Sequence, residues 1–294
     1  MLLKLKRRYW RARKRLLQAL HRWPEPPPPS MPPPPQIQGF AEAEAERRLS
    51  DEKVQEICEY ILHREEALDR DLLRYGDPAG KDVLIFGGGY GNEVLWAMRR
   101  GARSIVSIDL SHVSAAPLKR AMAARGIDHP SFEFRQENVH ETALRGETYD
   151  LIVSNGVFEH VLDLKGVLGA FRPLLRAKGR IAIFADGLWY SSIGGHLRGE
   201  PWEHLWRSPA DVKAAHPDRW DYYCNQLNRM TIVDFLEAVR STGLLVLQLN
   251  TGCDPALVQL PRRLPAIRER LDAVSPTDCS IVSIGCELCF AEHL

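Results

Sequence analysis

Apolar residues in this chain fall into short runs separated by longer stretches of helical periodicity. Runs of strand length lie near residues 83–86, 105–108, 132–135, 150–154, 180–185, 244–250 and 280–290. Helical patterns separate the first five, as expected of parallel strands joined by right-handed crossovers. Two further helical patterns stand out. Ala41 to Tyr75 carries Val54, Ile57, Cys58, Ile61 and Leu62 on one stripe, with Ser50 placed as an N-cap. Thr231 opens the other, which runs through Arg240 and stops at Ser241-Thr242-Gly243. From Gly252 to Asp278 the periodicity is lost. Prolines, and turns around Ala266–Leu271, predict an irregular insertion between the final two strands. The pattern as a whole predicts an α/β fold.

Ahead of this body lie two segments of different character. Residues 1–23 repeat apolar positions (Leu2, Leu5, Tyr9, Ala12, Leu16, Ala19, Trp23) at three- and four-residue steps, with basic residues around the other faces. A basic amphipathic helix of this kind suits an anionic membrane surface. It equally suits a targeting presequence, an RNA-binding arm or a helix that packs on a partner. A secretory signal is disfavoured, because charge interrupts the apolar core. Residues 24–38 then form a linker. Pro24 to Pro35 holds nine of the 20 prolines, which predicts an extended polyproline spacer. The folded domain is expected over 39–294.

The chemistry begins at Val83-Leu84-Ile85-Phe86-Gly87-Gly88-Gly89-Tyr90-Gly91. An apolar strand ends in glycines and a helical pattern follows from Glu93. Glycines admit a ligand close to the backbone, and the amides of a helix N-terminus point toward it. Asp109 closes the next strand, about 20 positions on, where a ribose would meet a carboxylate. The dinucleotide fingerprint requires glycine at position 92, which is Asn92, so a nicotinamide oxidoreductase is opposed. Glycines at 87, 89 and 91 instead resemble the first motif of the class I S-adenosylmethionine-dependent methyltransferases, of the small-molecule type. The resemblance continues through Ile105-Val106-Ser107-Ile108-Asp109, through Tyr149 to Val161, and through Leu174 to Phe184.

That resemblance implies a Rossmann-like three-layer sandwich, with a seven-stranded, mostly parallel sheet whose last strand is antiparallel, plus the N-terminal helical arm. It implies S-adenosyl-L-methionine as cofactor, with Gly87, Gly89, Gly91, Asp109, Asn138, Val139 and Asn155 as its binding residues. It also implies that the helix within 41–75 closes over the cofactor or substrate opening, although the residues alone fit a helix covering a sheet edge equally well. Two positions depart from the family pattern. The acid usual in the first strand is Ile85, and the acid usual after the third strand is Asn138, which can still accept through its side-chain oxygen. These departures keep a second reading in view: a non-catalytic, methyltransferase-like scaffold tethered to a membrane or a partner by the basic helix.

Asn155, Glu159 and His160 fall where the fourth strand ends, the ligand-facing edge of such a sheet. His160 is a candidate general base or a structural histidine anchoring the loop. Residues 187–224, too long for a simple crossover, include Trp189, Tyr190, Trp202, Trp206, Trp220, Tyr222 and Tyr223 and predict a substrate lid. His196 and His204, within that segment, are further candidate bases, with Asp186 behind them. His196, Glu203 and His204 are metal-ligand types, but the compact H-E-x-x-H spacing is missing and no metal is expected. The expected reaction is O-methylation of a small-molecule, sugar or lipid-linked acceptor.

Charge sharpens the picture. The net charge of the 294 residues is +1, yet residues 1–22 hold nine of the 39 Lys and Arg and no acid. The remainder carries 30 basic against 38 acidic residues, a net of −8. A body this acidic lacks the positive field that a phosphate backbone requires, so nucleic acid is not its expected substrate. Six cysteines in a chain of this length make no disulfide framework. Cys286 and Cys289 lie three apart in a strand pattern, on opposite faces, which opposes a zinc site. With no apolar run of membrane-spanning length, a cytoplasmic location is expected, and the basic helix is a candidate for peripheral attachment at the inner membrane face. The pattern does not fix an oligomeric state.

Overall fold

The computed structural model describes residues 49–111, 114–128, 131–271 and 274–293. The basic helix of 1–23, the linker of 24–38 and the first residues of the 41–75 pattern lie outside the described residues.

Seven strands form one sheet: β1 (Asp82–Phe86), β2 (Ser104–Asp109), β3 (Phe132–Gln136), β4 (Tyr149–Asn155), β5 (Leu175–Asp186), β6 (Leu244–Cys253) and β7 (Ile281–Phe290). Their order is β3-β2-β1-β4-β5-β7-β6. β1 pairs in parallel with β2 and β4, and the parallel pairing extends to β3 on one side and β5 on the other. β7 runs antiparallel to both β5 and β6. This is the seven-stranded arrangement expected from the sequence.

Alternation along the strands sorts their side chains onto two faces. Leu84, Ile152, Ile181 and Ile183 pack on one side. That side is covered by α4 (Val139–Leu144), α5 (Leu164–Ala170) and α9 (Ile232–Ser241), through residues such as Val139, Leu168 and Phe235. Val83, Ile85, Leu151, Val153 and Ala182 pack on the other. There the cover is α1 (Asp51–Leu72), α2 (Asn92–Arg99) and α3 (Ala116–Arg125), through Ile61, Leu68, Leu95 and Leu118. The caps follow the sequence. Ser50 Oγ accepts from the Lys53 amide, and Thr231 with Asp234 completes a capping box at α9. α1 therefore forms part of a sheet-covering layer, and it also carries Arg64 close enough to Glu93 to lower its pKa.

A third core lies beyond the sheet. The segment after β5 holds α6 (Glu203–Trp206), α7 (Pro209–Ala215) and α8 (Trp220–Asn225), and the segment between β6 and β7 holds α10 (Leu260–Arg270) and α11 (Pro276–Ser280). The irregular turns expected around 266–271 are thus replaced by a helix. Pro261 falls in its first turn, where a missing amide costs little, and Pro265 is tolerated inside it. Leu260, Ile267 and Leu271 share one cluster with Trp189, Trp202 and Leu205. Burial against the other insertion stabilises a helix that its local sequence disfavours.

Trp202 anchors this unit. It is wholly buried, adopts a left-handed backbone (φ 58°), and donates its indole N–H to the Tyr190 carbonyl at 3.1 Å. Trp202→Ala is expected to cost about 3–5 kcal/mol, as for other large aromatic truncations. Thermal unfolding measures the loss, and limited proteolysis should cut first within 187–224. Unchanged protection of that segment would show that the two insertions do not depend on this side chain.

Candidate active site

The glycine turn is shaped by packing on two sides and left open on the third. Gly87 (φ 75°) lies so close to Val157 that a Cβ there would sit 2.4 Å from Cγ2. Gly91 (φ 97°), the N-cap of α2, is equally confined by Leu118 and Phe134. At Gly89 (φ 45°) a Cβ would meet nothing within 4 Å. The open face of the turn is therefore at its middle glycine. Asp109 ties this turn to the end of β2: Oδ2 accepts from the Gly89 amide at 3.0 Å and Oδ1 from the Ser111 amide at 2.9 Å. A carboxylate holds further lone pairs for hydroxyl donors.

Asn138 takes a different post from the one foreseen for its oxygen. Oδ1 already accepts the His140 and Glu141 amides, and Glu141 returns a bond to the Asn138 amide. The residue caps α4, and its side-chain Nδ2 is the group left to meet a ligand. Val139 follows it, buried beneath the same helix. Asn155, at the end of β4, donates Nδ2–H to Glu93 at 2.8 Å.

Glu93 is a residue the sequence reading did not assign to the site. It is 4% exposed in the first turn of α2. Burial pushes its carboxyl up to about 7, the Asn155 bond and Arg64 pull it down, and Asp109 adds to the rise. An acid directly behind the glycines was the available signal. Its partner stands 62 positions away, which no local pattern displays.

The other half of the edge lies under the 187–224 segment. His160 Nδ1 sits 2.7 Å from the Gln226 carbonyl, which only accepts, so this nitrogen carries the proton. Nε2 then offers its lone pair, and the Tyr222 hydroxyl, 3.0 Å away, donates to it. Burial lowers the His160 pKa, with the Gln226 carbonyl opposing. The His196 ring stands 5.1 Å from that of His160, with its Nε2 on the Gly187 carbonyl. His204 is enclosed, with Nε2 2.6 Å from the Trp189 carbonyl. Burial pushes both down to about 4. Structure thus brings His160, His196 and Tyr222 together and sets His204 apart, as a pin for the inner wall.

Glu159, next to His160, is 4% exposed, and burial raises its carboxyl to about 8, helped by Asp186 and opposed by backbone amides. Glu203 binds His216 and Arg207 rather than joining His204. Among the described residues no group of three or more His, Cys, Asp or Glu side chains is arranged to hold a metal ion. Cys286 and Cys289 are both buried in β7, and burial drives the Cys286 thiol up to about 12.

Several buried polar atoms at this edge lack a partner within the chain: Arg64 Nε, Asn92 Oδ1, Asn155 Oδ1 and Glu159 Oε2. Buried groups of this kind are normally satisfied. Together with the open face at Gly89, they fit a polar ligand that completes the site.

A crossover-wound sheet of this order, with a glycine turn tethered to an acid at the end of the second strand, defines a Rossmann-like, nucleotide-cofactor-binding α/β protein. A family model described as a methyltransferase domain matches residues 60–249. The chain belongs to that family and is a class I S-adenosylmethionine-dependent methyltransferase. It is 23% identical over 184 residues to a ubiquinone biosynthesis O-methyltransferase of Bartonella bacilliformis, covering 63% of this chain and 71% of that one. Among solved structures it resembles the geranyl diphosphate C-methyltransferase of Streptomyces coelicolor A3(2), at a TM-score of 0.52 and 15% identity. That match covers 87% of this chain and 99% of the other. A methyltransferase from Mesorhizobium loti matches at a TM-score of 0.48 and 17% identity, covering 76% and 96%. At 15% identity the likeness to the geranyl diphosphate C-methyltransferase concerns the fold.

Proposed function

We propose that this chain methylates a hydroxyl of a small-molecule, sugar or lipid-linked acceptor enclosed beneath residues 187–224. The observation that carries this reading is the placement of two half-sites on one sheet edge: the glycine turn tied to Asp109 by a 3.0 Å bond, and the His160–Tyr222 pair under the aromatic segment. The O-methyltransferase named among its relatives supports oxygen as the target.

S-adenosylmethionine, when bound, supplies an electrophilic methyl group, so the protein chiefly positions the acceptor and manages its proton. Gly87, Gly89 and Gly91 would line the methionine and ribose end, and Asp109 would accept from the ribose hydroxyls. Asn138 and Val139 flank the adenine, and Asn155 closes the floor beside Glu93. His160 takes the acceptor's proton on Nε2 once the acceptor hydroxyl replaces that of Tyr222 there, with Nδ1–H held by the Gln226 carbonyl. His196 and His204 hold the 187–224 segment through the Gly187 and Trp189 carbonyls. Calorimetric titration of S-adenosylmethionine, followed by incubation with a pool of hydroxyl acceptors and measurement of the demethylated product, tests this reading. Absence of both binding and consumption would end it.

The acidic domain and the basic segment 1–23 further support attachment of the catalytic body to an anionic membrane surface through a proline-rich spacer. No helix among the described residues is long and apolar enough to cross a membrane. Full-length protein should co-sediment with phosphatidylserine-containing vesicles in a salt-sensitive way, and a chain starting at Gly39 should not. Equal sedimentation of the two would remove the membrane role.

A further inference from the structure

Glu93 lies in the first turn of α2, two residues after Gly91, and its carboxylate accepts from Asn155 at the end of β4. The strand below cannot contribute there, because Ile85 is apolar and wholly buried. A methionine ammonium brought to this edge needs acceptors, since a buried cation without them is strongly disfavoured. Asn155 spends one Nδ2–H on Glu93, so its buried Oδ1, without a partner in the chain, is a spare acceptor next to that carboxylate. Asn92 Oδ1, one residue before Glu93, is also buried and unpartnered. A carboxylate accepting one bond from Asn155 retains capacity for more. The charged groups facing it are Arg64 from α1 and Asp109 from β2.

We propose that Glu93, braced by Asn155, receives the α-ammonium of the methionine part of S-adenosylmethionine and so performs the task for which β1 provides Ile85. The proposal rests on the cofactor reading above and assigns a residue within it. The carboxyl's own state fits the role. Burial, with Asp109 adding, brings Glu93 to about 7 against the pull of Asn155 and Arg64. At neutral pH the unliganded protein then carries a share of protonated Glu93, and a cation binding there expels that proton. Affinity rises as pH climbs toward about 7 and levels off above it.

Calorimetry on the full chain tests this with two ligands, S-adenosylhomocysteine and its analogue lacking the amino group. Each is titrated into wild type and Glu93→Gln, in two buffers of different ionisation enthalpy. Wild type should prefer the amino-bearing ligand by about tenfold to a hundredfold, the range of a charge-assisted hydrogen bond. In Glu93→Gln that preference should shrink to within about threefold, and the proton released on binding should disappear. A preference unchanged in the variant overturns the proposal. Should the variant fail to fold, wild type alone decides: equal affinity for the two ligands, or binding without proton release near neutral pH, overturns it as well. Failure of wild type to bind either ligand would instead overturn the cofactor reading itself.

Discussion

Asp109→Ala should remove cofactor binding almost completely while leaving the fold in place. Two losses combine. The carboxylate's spare lone pairs would meet the ribose hydroxyls, and charge-assisted hydrogen bonds contribute about 1.5–3 kcal/mol each. Two of them correspond to a loss of about a hundredfold to ten-thousandfold in affinity. The same carboxylate holds the Gly89 amide at 3.0 Å and the Ser111 amide at 2.9 Å, so its removal also loosens the turn. Asp109 stands at the end of β2, only partly buried, and the β2 ladder is made by backbone groups. Thermal unfolding should therefore move little. Asp109→Asn, which keeps one acceptor, should fall between wild type and alanine. A dissociation constant within about threefold of wild type for Asp109→Ala would take the residue out of the ribose role, since even one lost bond exceeds that.

That half of the site was legible because its determinants are local. A glycine with positive φ has few substitutes, and an acid closing the strand after a glycine turn is fixed by the length of one βαβ unit. The strands were legible for a similar reason: parallel strands buried on both faces read as apolar runs. Residues 83–86 and 105–108 lie within observed strands β1 and β2. Capping residues gave the starts of α1 and α9, because Ser50 and Thr231 bind amides three residues on.

What stayed hidden depends on contacts between distant segments. Glu93 looks like an ordinary first-turn acid until Asn155 is placed against it. Asn138 could be aligned with a ligand-facing position, but its oxygen answers first to the unsatisfied amides of α4, a demand every helix start makes. The 252–278 stretch read as turns because prolines and arginines obscure its apolar stripe. Leu260, Ile267 and Leu271 become a core only against Trp202 and Leu205 from the other insertion. The sequence offered all three histidines as candidate bases, His160 after the fourth strand and the other two in the 187–224 segment. The carbonyls that face their rings separate them: Gln226 for His160, Gly187 for His196 and Trp189 for His204.

His160→Ala should leave cofactor affinity unchanged and lower kcat by about a hundredfold to ten-thousandfold, the usual worth of a positioned general base. The split follows from position. His160 belongs to the loop after β4 and bonds to Gln226 and Tyr222, none of which lies in the glycine turn. Tyr222→Phe removes the hydroxyl donated to Nε2 but keeps the ring packed edge-on against His160, so a loss of about tenfold is expected. The pH profile separates catalysis from a merely structural post. Burial holds the His160 pKa below the ordinary 6.5, so the neutral base persists through neutral pH. Activity should decline only on the acid side of that value, as protonation of Nε2 removes the acceptor lone pair. His196, pushed down to about 4 beside it, stays uncharged over the same range and should not add a second limb above pH 5 or so. In Tyr222→Phe the acid limb should shift, because Nε2 loses its hydroxyl partner. A variant with wild-type kcat and only a lower melting temperature would make His160 an anchor for the loop. The proton would then have to pass to another group such as Glu159, whose carboxyl burial pushes up to about 8 and which would place the limb higher.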